Sequence, residues 1–268
     1  EKDSLHKYSL QEIADQTFTS KAAVVRFAQA MGFSGWKEFV KAFTEEQSYQ
    51  AQHYTDIDAN FPFTKDSRRK DIINQLCSLQ VESLLDTADL LDDAPLDECA
   101  ALLLGSRRVA MFGLNPNLAL AEMFKRKMLS IGRQVELPNL GDVGLLAHSL
   151  DKYDCAVIIS YSGNSPTGAL SVLPTLKQRN VPIIGITSVG DNLLRQKANY
   201  TLSISSYERL YSKISTFGTE TSILFILNVL FSICFAADYD ANVERKIGTA
   251  RELESTRQTN EQALREKE

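Results

Sequence analysis

What most constrains this chain is a repeated alternation in its second half: short runs of apolar residues that end in turns, with stretches of helical period between them. The runs are residues 107–112 (RRVAMF), 155–160 (CAVIIS), 182–187 (PIIGIT) and 200–204 (YTLSI), with a less apolar fifth at 133–137 (RQVEL). Helical patterns lie between them at residues 118–131, 167–179 and 192–198. Within the runs, apolar residues do not alternate with polar ones, so both faces of each strand must be covered. Strands of that kind joined through helices form a parallel sheet with a helical layer on each side. In such sheets a ligand lies beyond the carboxyl ends of the strands, where the strand order reverses.

The chain has 268 residues, enough for one ordinary domain and a small one. Hydrophobic residues at 44% and charged residues at 24% are the composition of a soluble globular protein, expected in the cytoplasm. A net charge of −5 argues against a chain that coats nucleic acid non-specifically, but it leaves room for a local DNA-binding surface. The cysteines, Cys77, Cys99, Cys155 and Cys234, have no metal-ligand spacing and are expected as reduced thiols. With His6, His53 and His148 as the only histidines, no metal and no cofactor is implied. The apolar run 223–237, broken by Asn228 and Ser232, is shorter than the ~18–20 residues that span a bilayer. It is expected as a buried helix that contributes to a subunit interface. No secretory signal opens the chain, and its start at Glu1 suggests a trimmed N-terminus.

The segments divide as a head (residues 1–46), a linker (47–66), an α/β body (67–240) and a charged helical tail (241–268). In the head, Ser9 and Glu12 have the spacing of a capping box and start one short helix. Thr19 or Ser20 can cap a second helix over residues 21–31, which Gly32 ends. Val24, Phe27, Ala28 and Met31 share one face of it, with Ala22, Arg26 and Gln29 opposite. Two short helices joined by about four residues, the second with a polar N-terminus, meet the needs of DNA major-groove recognition. On that reading Ser20, Lys21, Ala22 and Arg26 form the contact surface, Arg26 reaching guanine or phosphate. The other reading is an ordinary helical hairpin, since residues 1–50 hold six Lys/Arg against seven Asp/Glu.

In the body, two strand-to-helix junctions have the makings of an anion site. At 112–117 (FGLNPN) and 160–167 (SYSGNSPT), Asn115 and Ser165 suit the N-cap, and Pro116 and Pro166 suit the first helical position. A helix start offers free N–H groups and the positive end of its dipole. The second loop adds hydroxyls from Ser160, Ser162, Ser165 and Thr167 around Gly163. Loops before helices collect serine and proline for structural reasons too; the clustering of four hydroxyls around one glycine sets the second loop apart. Glu220, at the start of the late apolar helix, reads as a dipole partner more readily than as a base.

The head sequence SLQEIADQTFTSKAAVVRFAQAMGFSGWKEFVKAF resembles the helix-turn-helix of RpiR-family regulators, carried by Val25–Arg26–Phe27–Ala28 and by Gly32–Phe33–Ser34–Gly35–Trp36. A threonine is usual where Ala23 stands, and the family's first helix is missing before Glu1. The second loop is similar to the S-x-S-G-x-[ST] signature of SIS (sugar isomerase) domains, over about residues 107–235. That resemblance implies an α/β/α sandwich on a five-stranded parallel sheet, with phosphosugar bound by Ser160, Ser162 and Ser165 and with Tyr161, Gly163, Asn164, Thr167 and Glu220 beside them. The first loop departs from the pattern G-x-G-x-S, having Asn115 and Asn117 where glycine and serine are usual; the Asn117 amide can still donate.

Together these resemblances imply a transcriptional regulator, a homodimer or homotetramer on double-stranded operator DNA, controlled by a phosphosugar effector, with no membrane partner. The alternatives are a sugar-phosphate isomerase or lyase, which needs an acid/base pair beside the sugar, and a sensor whose head binds protein.

Overall fold

The computed structural model describes residues 8–53, 57–139, 141–205 and 207–253. The chain divides into two compact units, residues 1–57 and 58–268.

The first unit holds α1 (Leu10–Gln16), α2 (Lys21–Ala30) and α3 (Trp36–His53). The capping box forms: Ser9 Oγ accepts from the Glu12 N–H at 3.3 Å and Glu12 accepts from the Ser9 N–H at 2.7 Å. Both helices end in the same bond pattern. After α1 the Thr19 N–H donates to Ala14 O, with Phe18 at φ +53°; after α2 the Phe33 N–H donates to Ala28 O, with Gly32 at φ +90°. This is the Schellman closure, which needs a left-handed residue just past the helix; glycine takes that conformation freely and phenylalanine does not. Ile13, Ala14, Val24 and Ala28 form the small core. Phe27 and Met31, on the same face as Val24 and Ala28, are about half exposed; Phe27 meets Phe39 edge to face at 5.5 Å. The polar segment expected to be linker from residue 47 continues as α3 to His53, since EEQSYQAQH contains no helix breaker.

The second unit contains β1 (Val109–Phe112), β2 (Val135–Glu136), β3 (Cys155–Ile159), β4 (Ile183–Ser188) and β5 (Tyr200–Ile204), all parallel, in the order β2-β1-β3-β4-β5. Its helices are α4 (Arg69–Asp89), α5 (Asp93–Gly105), α6 (Asn117–Ser130), α7 (Val143–Ser149), α8 (Leu173–Gln178), α9 (Leu193–Lys197), α10 (Phe217–Ala236) and α11 (Tyr239–Leu253). Alternate strand residues feed two cores. Val109, Met111, Val157, Ile159, Ile184 and Ile186 meet α5, α6 and α10, while Ala110, Phe112, Ala156, Ile158 and Ile183 meet α7, α8 and α9. The expected three-layer sandwich is therefore present, and both faces of the sheet are buried.

The late apolar run lies within α10, a helix of 20 residues that is long and apolar enough by composition to cross a bilayer. In this fold one face of it fills the core: Ile223, Ile226, Leu227 and Leu230 are at most 2% exposed, each contributing about 1.5–3 kcal/mol of burial. The body begins earlier than expected. Asn60 and Pro62 are buried and Phe63 faces Phe217, so residues 58–63 belong to the body and not to a free linker. Of the tail, α11 covers residues up to Leu253; residues 254–268 lie outside those described.

Candidate functional site

In the order β2-β1-β3-β4-β5 the chain leaves β1 toward β2 and later returns to place β3 on β1's other side. The strand order reverses between β1 and β3, and the two loops singled out by sequence follow these two strands. They meet. A Cβ on Gly168 would lie 3.0 Å from the Leu114 side chain and 3.2 Å from Ser165 Oγ, and the Asn117 amide donates to Ile159 O at 3.4 Å, next to Ser160.

The loop after β3 is shaped by its neighbours. The Ser160 N–H donates to Ile186 O and the Ser188 N–H to Tyr161 O, which extends sheet pairing into the loop. Gly163 has φ +62°, and a Cβ there would lie 2.2 Å from Asn192 Oδ1 and 2.6 Å from Thr187 Oγ1. Only glycine fits. Its carbonyl accepts from Leu194 N–H at 2.9 Å, and Asn164 Oδ1 accepts from Leu193 N–H at 2.9 Å, so the loop is clamped to the start of α9. Asn164's carboxamide oxygen is thereby committed to holding the loop. The Ser162 hydroxyl accepts from Asn164 N–H at 3.4 Å. Ser162 and Ser165 are half-buried and Thr167 is exposed.

Two local expectations are corrected. Asn115 does not cap α6: the Asn115–Pro116 bond is cis and Pro116 itself occupies the N-cap, so the helix starts at Asn117. No helix opens at Ser165 either. Residues 166–168 form a turn, a 3-10 segment runs Ala169–Val172, and α8 starts only at Leu173. The hydroxyls of the second loop therefore project from a turn held by α9 and not from a helix start.

Tyr161 and Glu220 have partners that sequence did not reveal. The Tyr161 hydroxyl donates to Glu208 O at 2.5 Å, and Lys213 Nζ lies 5.1 Å from its ring centroid. Burial, with the Glu208 charge adding to it, pushes the phenol up to about 12. Glu220 accepts a hydrogen bond from Thr216 Oγ1. Glu220 stands in the first turn of α10, as expected of a dipole partner, and Glu208 joins it there. Glu208 Oε1 accepts from the N–H groups of Gly218 at 2.6 Å and Thr219 at 3.1 Å, and its Oε2 from Thr219 Oγ1 at 2.7 Å and Lys213 Nζ at 3.2 Å. A carboxylate of the chain thus fills the start of α10. Ten residues of sequence separate Glu208 from Gly218, so no capping pattern signals it.

In the head, Ser20 Oγ accepts from Ala23 N–H at 3.2 Å and caps α2. Lys21, Ala22, Arg26 and Gln29 are exposed on that helix, opposite the buried Val24 and Ala28.

Comparison with known proteins agrees with both halves. The family model for the helix-turn-helix domain of the rpiR family matches residues 1–50, and that for the SIS domain matches residues 102–231. The head is similar to the rpiR-family helix-turn-helix, and the body to a SIS domain. An uncharacterized HTH-type transcriptional regulator of Haemophilus influenzae is 26% identical over 246 residues, 91% of this chain and 84% of that protein. The fold is shared with the Vibrio vulnificus NanR protein complexed with ManNAc-6P, at TM-score 0.64 and 18% identity over 96% of this chain and 89% of that one. It is shared also with the sugar isomerase domain of an RpiR transcription factor from Sphaerobacter thermophilus, at TM-score 0.58 and 14% identity over 67% and 98%. This chain therefore pairs a helix-turn-helix head of the rpiR type with a SIS body, in that order.

Proposed function

We propose that the protein is a DNA-binding transcriptional regulator whose operator affinity is controlled by a phosphorylated sugar held in the SIS body. The observation that carries this is the meeting of the β1 and β3 loops where strand order reverses, with hydroxyls and amides in place of charges. Ser160, Ser162, Ser165 and Thr167, with the Asn117 amide, hold the phosphate. Asn115, Tyr161, Gly163, Asn164 and Glu220 shape the surroundings, Tyr161 and Asn164 by bonds that fix the loop. Ser20 sets the start of α2, and Lys21, Ala22 and Arg26 meet operator DNA. NanR, with its bound ManNAc-6P, supports an amino-sugar phosphate as the first ligand to try.

We read the protein as a regulator and not an isomerase. The hydroxyls and amides here supply no acid/base pair, and Glu220 already holds Thr216. A helix-turn-helix that reads two half-sites acts as a dimer or tetramer, and the half-buried Phe225, Val229 and Phe231 of α10 offer an apolar face for it.

The test is thermal melting against phosphorylated sugars and amino sugars. A ligand at about 100 times its Kd stabilises the fold by about 2.7 kcal/mol. Ser162→Ala is expected to reduce that shift while the unliganded protein melts as before; equal calorimetric affinities for variant and wild type would remove the assignment.

A further inference from the structure

The segment that carries the head enters the body through a fixed point. Asn60, 5% exposed, accepts from Arg209 N–H at 2.6 Å, donates to Tyr207 O at 3.4 Å, and accepts at its own carbonyl from Ile214 N–H at 2.9 Å. Asp58 Oδ1 accepts from both the backbone and the side-chain N–H of Asn60 at 2.9 Å, which sets the side chain's direction. Further along, the Phe63 and Phe217 rings are 6.5 Å apart. Residues 58–63 are thus fastened to the stretch between β5 and α10.

That same stretch holds the hydroxyl-bearing loop from the other side. The Tyr161 hydroxyl donates to Glu208 O, and Lys213, paired with Glu208, covers its ring. Tyr161 lies in the chain between Ser160 and Ser162. The path from Ser162 to the connector therefore runs through Tyr161, Glu208, Arg209 and Asn60, and every link in it is a peptide bond or a hydrogen bond. Polar ties of this kind hold in discrete arrangements: a hydrogen bond at 2.6 Å cannot stretch far without breaking.

We propose that Asn60 is a positioning residue that couples occupancy of the β3 loop to the connector, and through it to the head. This rests on the reading that a phosphosugar binds that loop. Ligand that orders Ser160 and Ser162 sets Tyr161, Tyr161 sets the Glu208–Arg209 backbone, and Asn60 passes that setting to residues 58–63. Coupling requires that the ligand favour one setting over the other.

The experiment compares wild type with Asn60→Ala in the full chain. The probe is the phosphosugar that stabilises wild type in the melting panel, ManNAc-6P being tried first; the DNA is a duplex selected by wild type from a random pool. In wild type the sugar is expected to change DNA affinity by about fivefold or more. In Asn60→Ala, sugar affinity and sugar-free DNA affinity are each expected within about threefold of wild type, while the sugar's effect on DNA falls below about twofold. A variant that responds to sugar as wild type does overturns the proposal. If no sugar stabilises wild type, the functional reading itself falls, and the coupling with it, before any variant is made. A variant that does not fold is bypassed by amide exchange in wild type. The Arg209 and Ile214 amides are expected to change exchange rate on sugar addition by about tenfold relative to those of α7. No change at either amide also overturns the coupling.

Discussion

Gly163 has both a left-handed backbone and no room for a Cβ, with Asn192 and Thr187 in the way. Gly163→Ala is expected to displace Asn192, which caps α9, and to cost about 1–3 kcal/mol, as overpacking does. Urea denaturation would measure the stability loss, and calorimetry would show whether phosphosugar affinity falls with it. Sequence made this glycine conspicuous among four hydroxyls, but not why it must be glycine, because Asn192 and Thr187 come from other elements. Phe18 presents the opposite case. At φ +53° and 97% exposed it pays for a left-handed turn without burying its ring. Phe18→Gly is expected to stabilise the head by about 1 kcal/mol, and an unchanged melting temperature of the head would show that the ring is held by something else.

Among the elements, α10 depends on a residue outside itself. Glu208 takes three hydrogen bonds from its first turn and a fourth from Lys213, all within a buried setting. Glu208→Gln is expected to destabilise the body by about 2–3 kcal/mol, the scale of hydrogen bonds to a charged group, read by urea denaturation. A loss below about 0.5 kcal/mol would mean that water replaces the carboxylate at the helix start. At the opposite end of the sheet, Asp154 clamps the entries to β1 and β3. Burial pushes its carboxyl up, but hydrogen bonds from Arg107, Arg108 and the Asp151 N–H outweigh that and hold it well below the usual carboxylate range. A group lowered on folding contributes stability above its unfolded value of about 3.9, and loses it as pH falls toward the folded value. The stability gap between wild type and Asp154→Asn is therefore expected to be full at pH 7 and to narrow below about pH 4. A gap independent of pH would remove the charge from the explanation.

For the whole molecule, two activities in one chain require that each be separable. Arg26→Ala is expected to weaken operator binding by about tenfold or more, the scale of a lost base or phosphate contact, and to leave the sugar-induced melting shift intact. An unchanged gel shift would take Arg26 out of the DNA surface. The alternation of strand and helix, and the order of head before body, were legible along the chain because both are written in local period: two for strands, about 3.6 for helices. The boundary between the units was not. EEQSYQAQH looks polar enough for linker and yet continues α3, while Asn60 and Phe63 look like linker and yet dock on the body. Local polarity does not report what a residue touches 149 positions away.

By itself, then, the sequence determined the alternation of strands and helices that makes a parallel sheet covered on both faces, the two loops after β1 and β3, and the first two helices of the head. All of these follow from short-range pattern and capping chemistry. Only the tertiary structure decided that Glu208 closes α10, that Tyr161 and Asn164 spend polar atoms on holding their loop, and that Asn60 fastens the connector. Each of those is a hydrogen bond between segments distant in sequence, formed because folding buries a polar group that must then find its partner wherever the chain brings one.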